Sequence, residues 1–151
     1  MSRYLLDTNI CIHLMKGDFD LDNKVEQVGL RNCFISELTI AELLYGIANS
    51  APDRQASNRQ KLDKFLRLFT KARRLGLTDV LETYAAQKAQ LKRIGRLQGE
   101  FDMLIGSTAL AYGLTLVTRN TRHFTDMLDL ESENWIDIDL GAAQLPGGGE
   151  E

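Results

Sequence analysis

A chain of 151 residues, 44% of them hydrophobic, is long enough to bury one sizeable core and too short to favour two ordinary domains. Its formal net charge of -3 and sequence pI of about 5.4 exclude a protein that holds nucleic acid by being basic all over, so any nucleic-acid site must be local. The two cysteines, Cys11 and Cys33, have apolar neighbours and read as buried free thiols in a reducing compartment, not as a disulfide framework or a zinc site. Met1-Ser2-Arg3-Tyr4 lacks the features of a secretory signal, and no apolar run approaches the ~20 residues that span a bilayer; a cytoplasmic location without membrane contact is expected.

In chain order, Tyr4-Leu5-Leu6 is a short apolar strand that stops at Asp7, and Ile10 to Met15 is a helical segment ended by Gly17. Asn32 to Ser36 and then Thr39 to Ile47 repeat the strand-then-helix unit. From Leu62, the residues Phe65, Leu66, Phe69 and Ala72 continue one stripe of an amphipathic helix that Gly76 closes. Thr78 is a good N-cap for a second long helix containing Leu81, Ala85, Ala89, Ile94 and Leu97, so these two helices are expected to form a hairpin. Gly99 breaks that helix. Phe101 to Ala111 is apolar all round, which predicts a central, covered helix, and Gly113 ends it.

Leu114 to Thr118 reads as a strand, Arg119 to Phe124 as a polar loop and Trp135 to Ile138 as a last short strand. Alternating strands and helices predict an α/β domain with a mostly parallel sheet. The expected division is a domain over 1–140 and a tail over 141–151, whose glycines and Pro146 predict disorder.

Ligands of an open parallel sheet gather at the carboxyl ends of its strands. Asp7 sits at such a point, Glu42 is expected in the first turn of the helix after the second strand, and Asp102 in the first turn of the apolar helix. Carboxylates converging there repel one another unless a divalent cation supplies counter-charge, and magnesium or manganese suits an all-oxygen site. Such a site activates water against a phosphodiester. Each acid also has a structural reading: Thr39-x-x-Glu42 matches a capping box, Asp102 and Glu100 complement a helix dipole, and Asp7 suits an N-cap.

Leu5-Leu6-Asp7-Thr8-Asn9, Thr39-Ile40-Ala41-Glu42-Leu43-Leu44-Tyr45-Gly46, Phe101-Asp102-Met103-Leu104-Ile105-Gly106-Ser107-Thr108-Ala109 and Leu116-Val117-Thr118-Arg119-Asn120-Thr121-Arg122-His123-Phe124 follow one another along the chain. Together they resemble the successive motifs of VapC-type PIN-domain toxins up to about Ile138, and four linked motifs are far more specific than any single acid. The resemblance implies a three-layer α/β/α fold and a magnesium- or manganese-dependent endoribonuclease. It also implies a VapB-like antitoxin partner in a toxin-antitoxin pair, a homodimer, and RNA substrates such as tRNA or rRNA. Asp7, Glu42 and Asp102 match the family's first three acidic positions. The fourth is Asn120, whose neutral carbonyl oxygen suits it to positioning water more than to holding a second metal. Thr118 and Thr8 are suited to hydrogen-bond a carboxylate or a ligand water.

Basic groups cluster at Lys71, Arg73 and Arg74, at Lys88, Lys92, Arg93 and Arg96, and at Arg119 with Arg122. Helical charges are usually a solvated face, so Arg119 and Arg122, beside Asn120, are the preferred RNA contacts. His123 is as well placed to cap locally as to touch substrate, and Tyr45 and Phe124 are expected in the core. Two other readings compete. A haloacid-dehalogenase-like phosphatase would use Asp7 as nucleophile, but expects an Asp where Asn9 stands and leaves Glu42 unexplained. A PIN-fold module that binds RNA or a partner without turnover would follow if Asn120 had disabled the site.

Overall fold

The computed structural model describes residues 2–137. Five strands, β1 (Tyr4–Leu6), β2 (Cys33–Ser36), β3 (Arg74–Leu75), β4 (Thr115–Val117) and β5 (Ser132–Glu133), form one parallel sheet in the order β3-β2-β1-β4-β5. Six helices cover it: α1 (Thr8–Lys16), α2 (Leu21–Val28), α3 (Glu37–Ala48), α4 (Gln55–Leu66), α5 (Leu81–Arg93) and α6 (Glu100–Tyr112).

Side chains alternate across a strand, and here the alternation divides the core in two. Leu6, Ile35 and Val117 face a cluster with Ile10 and Cys11 of α1, Leu21 and Val25 of α2, Leu43 of α3, and Leu62 and Phe65 of α4. Leu5 and Leu116 face the opposite cluster, with Leu91 of α5 and Met103, Ile105 and Ala109 of α6. The result is the expected three-layer α/β/α sandwich. Chain order steps outward from β1 to β2 to β3, then α5 and α6 carry the chain back across the sheet to β4. The direction therefore reverses between β1 and β4, and a crevice opens there at the carboxyl ends of the strands.

Several expected boundaries move. The helix expected from Leu62 starts at Gln55 and ends at Leu66, because Arg74 and Leu75 leave to pair with Ile35 and Ser36 as the edge strand β3. The guanidiniums of Arg73 and Arg74 clamp this edge by donating to the carbonyls of Leu30, Cys33, Leu66, Leu68 and Phe69, so these two members of the basic cluster are structural. The two helices expected to pair are thus separated by a strand. The hairpin is built instead from α5 and α6, which pack along each other.

Thr78 caps nothing: α5 starts at Leu81 after Val80 and ends before Gly95 (φ 69°), so Ile94 and Leu97 lie beyond it and are exposed. The chain also contains α2, which the sequence reading did not assign. Among the described residues the last strand is Ser132–Glu133, and Trp135 and Ile136 of the segment expected as a strand fill the core instead. Ile138 and the expected tail lie outside the described residues. Cys11 and Cys33 are buried free thiols, as expected. Among the described residues no helix is long and apolar enough to cross a membrane.

Candidate active site

β1 ends at Leu6, and the next residue, Asp7, is the N-cap of α1, with its own N–H donating to Val117 O at 2.9 Å. This ties the carboxylate to the reversal point between β1 and β4. Both Asp7 oxygens are engaged: Oδ1 accepts from Thr8 N (2.8 Å) and Oδ2 from Thr118 Oγ1 (2.8 Å), which is fully buried at the end of β4. Thr118 Oγ1 in turn accepts from Asn120 N at 3.1 Å, so one hydroxyl links the first acid to the loop carrying Asn120.

Glu42 stands one turn deeper than expected. Ser36 caps α3 through Leu38 N (3.0 Å), so the helix begins at Glu37 and Glu42 belongs to its second turn. The capping-box reading fails with that shift, since Glu42 Oε1 accepts from Thr8 Oγ1 of the neighbouring helix α1 at 2.8 Å and not from its own helix start. The Thr8 hydroxyl lies 3.1 Å from Thr39 Oγ1, which can donate to it, and so holds Glu42 against α1. Asp102 is in the first turn of α6, as expected, after Gly99. Its Oδ2 lies 3.2 Å from His123 Nδ1, a contact for which the sequence offers no spacing signal, because the two residues meet only when α6 packs on the turn at Thr121–Phe124.

Asp7, Glu42, Asp102 and Asn120 line one cleft of about 290 Å³, together with Thr8 and Asn9. Burial pushes the Asp7 carboxyl above the usual range, Thr118 and Thr8 pull it back, and the charge of Asp102 raises it further. Glu42 is raised for the same reasons: burial first, partly offset by Thr8, with repulsion from Asp7 and Asp102 added. Among the described residues no three His, Cys, Asp or Glu side chains are close enough to grip one ion unaided. The donor chemistry nevertheless suits a hard cation: the cleft adds the uncharged oxygens of Asn120 and Thr8 to carboxylates that need counter-charge, and magnesium characteristically keeps several waters.

A PIN domain model matches residues 4–127, a span that includes all four of these cleft positions. The chain belongs to the PIN-domain family. Within that family it is similar to the VapC ribonucleases: it is 35% identical over 142 residues to Ribonuclease VapC2 of Haemophilus influenzae, covering 90% of this chain and 100% of that one. It is 34% identical over 137 residues to the tRNA(fMet)-specific endonuclease VapC of Shigella flexneri, covering 89% and 99%. Among solved structures, VapBC2 of Rickettsia felis bound to a promoter DNA fragment superposes with a TM-score of 0.77 at 32% identity, covering 87% of this chain and 98% of that one. DNA-bound VapBC of Salmonella typhimurium gives 0.80 at 27%, covering 89% and 99%. Neither the phosphatase nor the binding-module alternative finds a counterpart in these relatives.

Of the remaining residues of the PIN domain singled out in the sequence, Arg119 lies beside the cleft but is paired with Asp137 (3.3 Å). Arg122 lines the same neighbouring hollow as Asn120. Lys88 is taken by Glu100 and Tyr84, fastening α5 to the first turn of α6, where Asp102 sits. Phe124 is core, as expected, whereas Tyr45 is 70% exposed.

Proposed function

We propose that this PIN domain is a divalent-metal-dependent endoribonuclease acting as the toxin of a type II toxin-antitoxin pair in the cytoplasm, with Asp7, Glu42 and Asp102 holding magnesium or manganese. The observation that carries this reading is the convergence of three mutually repelling carboxylates at the reversal point of a parallel sheet. A divalent cation held by these three carboxylates would supply counter-charge and Lewis-acid activation of water and phosphodiester. The chain's own groups do the rest. Thr118 and the Thr8 N–H hold the Asp7 carboxylate in one orientation, Thr8 and Thr39 hold Glu42, and His123 steadies Asp102. Asn120 offers a neutral oxygen that orients water without adding a fourth charge, and Arg122 draws phosphate toward the rim.

The names of the relatives suggest where to look for substrate and partner. An initiator tRNA is the first RNA to try, given the tRNA(fMet)-specific relatives. A VapB-like protein is the partner, given the VapBC complexes among the structural neighbours. A groove of about 640 Å³ between α1, α3 and α4, lined by Ile12, Met15, Leu43, Ile47 and Leu62, suits the apolar face of a partner segment. It shares Ile12 and Glu42 with the acid cleft, so an occupant would sit beside the proposed chemistry. A homodimer would cover some of the exposed apolar side chains, such as Tyr45, Leu81 and Phe101, and light scattering would read twice 17.0 kDa. The buried, unpaired thiols of Cys11 and Cys33 suit the reducing cytoplasm.

The test is incubation of partner-free protein with structured RNAs in magnesium or manganese, beside EDTA and an Asp7→Asn control. Cleavage that requires both metal and Asp7 supports the assignment. Well-folded protein that cleaves nothing in any metal refutes it.

A further inference from the structure

Phe19 is a large apolar side chain left in the open, 49% exposed, at the turn between α1 and α2. Gly17 (φ 74°), Phe19 (57°) and Asp20 (56°) all take left-handed backbone there, a conformation that costs little at glycine and is unusual for a bulky residue. The turn is well held. His13 Nδ1 and Asp18 Oδ2 are 2.9 Å apart, Asp18 N donates to His13 O (3.0 Å), and Asn23 Nδ2 donates to Asp20 Oδ1 (2.9 Å). The Phe19 ring packs edge-on against His13 with centroids 4.9 Å apart, and the Arg119 guanidinium lies over it, 5.1 Å from the centroid.

Arg119 is not arranged as a phosphate anchor. Its Nε and Nη2 point at the Asp137 carboxylate at 3.3 and 3.5 Å, Asn134 Nδ2 donates to the same carboxylate at 2.9 Å, and the Arg119 N–H lies 3.3 Å from Asn9 Oδ1. Its charge is locally cancelled and its plane is held. Arg119, Arg122, His123, Asn134 and Asp137 line a polar hollow of about 530 Å³, and Asn120 lines both this hollow and the acid cleft. Among the described residues Arg122 has no ion-pair partner, which leaves it as the cation of the hollow that is free to meet phosphate.

We propose that Phe19 and Arg119 form a stacking subsite for an unpaired nucleobase next to the scissile phosphate, with Arg122 meeting a phosphate in the hollow that Arg119 also lines. The proposal rests on the ribonuclease reading above and adds to it the residues that would receive a base beside the cut. A base inside a duplex has both faces covered by its neighbours and cannot use such a surface. Aromatic and guanidinium planes accept any base, so the subsite selects for an unpaired nucleotide more than for base identity.

The test is binding of a single-stranded RNA oligomer carrying 2-aminopurine, read by quenching of its fluorescence and by affinity over a series of salt concentrations. The protein carries Asp7→Asn so that the oligomer survives in magnesium. Phe19→Ala is expected to weaken binding about ten-fold and lose the quenching, with the salt slope unchanged, because stacking releases no counterions. Phe19→Tyr retains both. Arg119→Lys, which keeps the charge and removes the plane, falls with Phe19→Ala, whereas Arg122→Ala lowers the salt slope by about one phosphate contact. A ribose-phosphate strand without bases binds the Phe19→Ala protein and its parent equally.

Phe19→Ala binding the oligomer as tightly as its parent overturns the proposal, as does Arg119→Lys behaving like its parent while Arg119→Ala reduces the salt slope. A melting curve for each variant separates lost stacking from lost fold. Because the readout is binding, these outcomes stand apart from failure of the nuclease reading, which would appear as wild-type protein that cleaves no RNA.

Discussion

Replacing Thr118 with valine isolates one atom of the site. The shapes match, so the fully buried position keeps its packing, while the hydroxyl that donates to Asp7 Oδ2 at 2.8 Å and accepts from Asn120 N at 3.1 Å disappears. Asn120 N–H can turn to water, since Asn120 is exposed. Asp7 Oδ2 cannot be rescued by Asn9 Nδ2, which lies 3.5 Å away, beyond a good hydrogen bond. A hydrogen bond to a buried charged group is worth about 1.5–3 kcal/mol, and for a domain of this size each kcal/mol moves the melting temperature by about 2–4 °C. Thr118→Val is therefore expected to melt about 5–10 °C below wild type at neutral pH. Thr118→Ser, which keeps the hydroxyl and gives up one buried methyl worth about 1 kcal/mol, should lose only about 2–4 °C.

The pH dependence supplies a second check. Thr118 is one of the groups pulling the Asp7 carboxyl down against burial, so its loss raises that carboxyl further. A carboxyl raised above its unfolded value of 3.8 binds protons more readily when folded, so its contribution to stability falls as pH rises from there through the folded value. The deficit of the valine variant should accordingly be full at neutral pH and shrink toward acid, followed by metal-free thermal melts over a pH series. Valine and serine variants that melt together, or a deficit that does not diminish toward acid pH, would refute the reasoning.

Asp7→Asn removes a buried carboxylate that is destabilising when ionised, so it should abolish cleavage while raising the neutral-pH melting temperature by about 2–4 °C, an advantage that fades toward acid pH. Magnesium or manganese at ten times its dissociation constant should stabilise the wild type by about 1.4 kcal/mol, and calorimetry should show that gain lost in the same variant. Gly106→Ala places a Cβ 2.5 Å from Met127 Sδ and 3.3 Å from Leu130 Cδ2. Overpacking outweighs the helix-propensity gain there, for a net loss of about 1–2 kcal/mol in chemical denaturation. Burial pushes the Cys33 thiol up to about 11 and the Cys11 thiol higher still, so neither should react with a thiol reagent at pH 8 until the protein is unfolded; fast labelling of the native protein would contradict the buried assignment.

The parts of this molecule that were legible in its sequence are those in which local pattern and tertiary role agree. Leu5-Leu6 followed by Asp7 and the strand before Thr118 could be read because both faces of each are covered, and α6 because its centre, Met103 to Ala109, is almost wholly buried. Elements held by partners far along the chain were not legible. β3 is two residues, Arg74 and Leu75, and exists because Ile35 and Ser36 offer it hydrogen bonds and because Arg73 and Arg74 reach the carbonyls around it. The stripe ending at Phe69 and Ala72 looks helical because Phe69 is fully buried, yet it is buried from a turn. Glu42 was singled out but placed a turn too early, since Thr39-x-x-Glu42 imitates a capping box that Ser36 makes unnecessary. The His123 contact to Asp102 and the Arg119 contacts to Phe19 and Asp137 bring distant segments together, and nothing in composition or spacing announces them.

The acids themselves bear on whether this fold binds RNA or cuts it. RNA is a polyanion, the chain has a net charge of -3, and the cleft that shares Asn120 with the hollow of Arg122 is lined by three carboxylates. A passive binder gains nothing from them: they repel the phosphate that must enter, and two of them have their ionised forms penalised by burial and mutual repulsion. The same arrangement is coherent if Asp7, Glu42 and Asp102 hold a divalent cation, whose charge would offset their repulsion and attract phosphate. The buried hydroxyl of Thr118 and the Thr8–Thr39 pair are then not incidental. They fix the orientation of Asp7 and Glu42 and pull both carboxyls down against the burial that raises them, an arrangement that metal-dependent hydrolysis would explain and RNA binding alone would not.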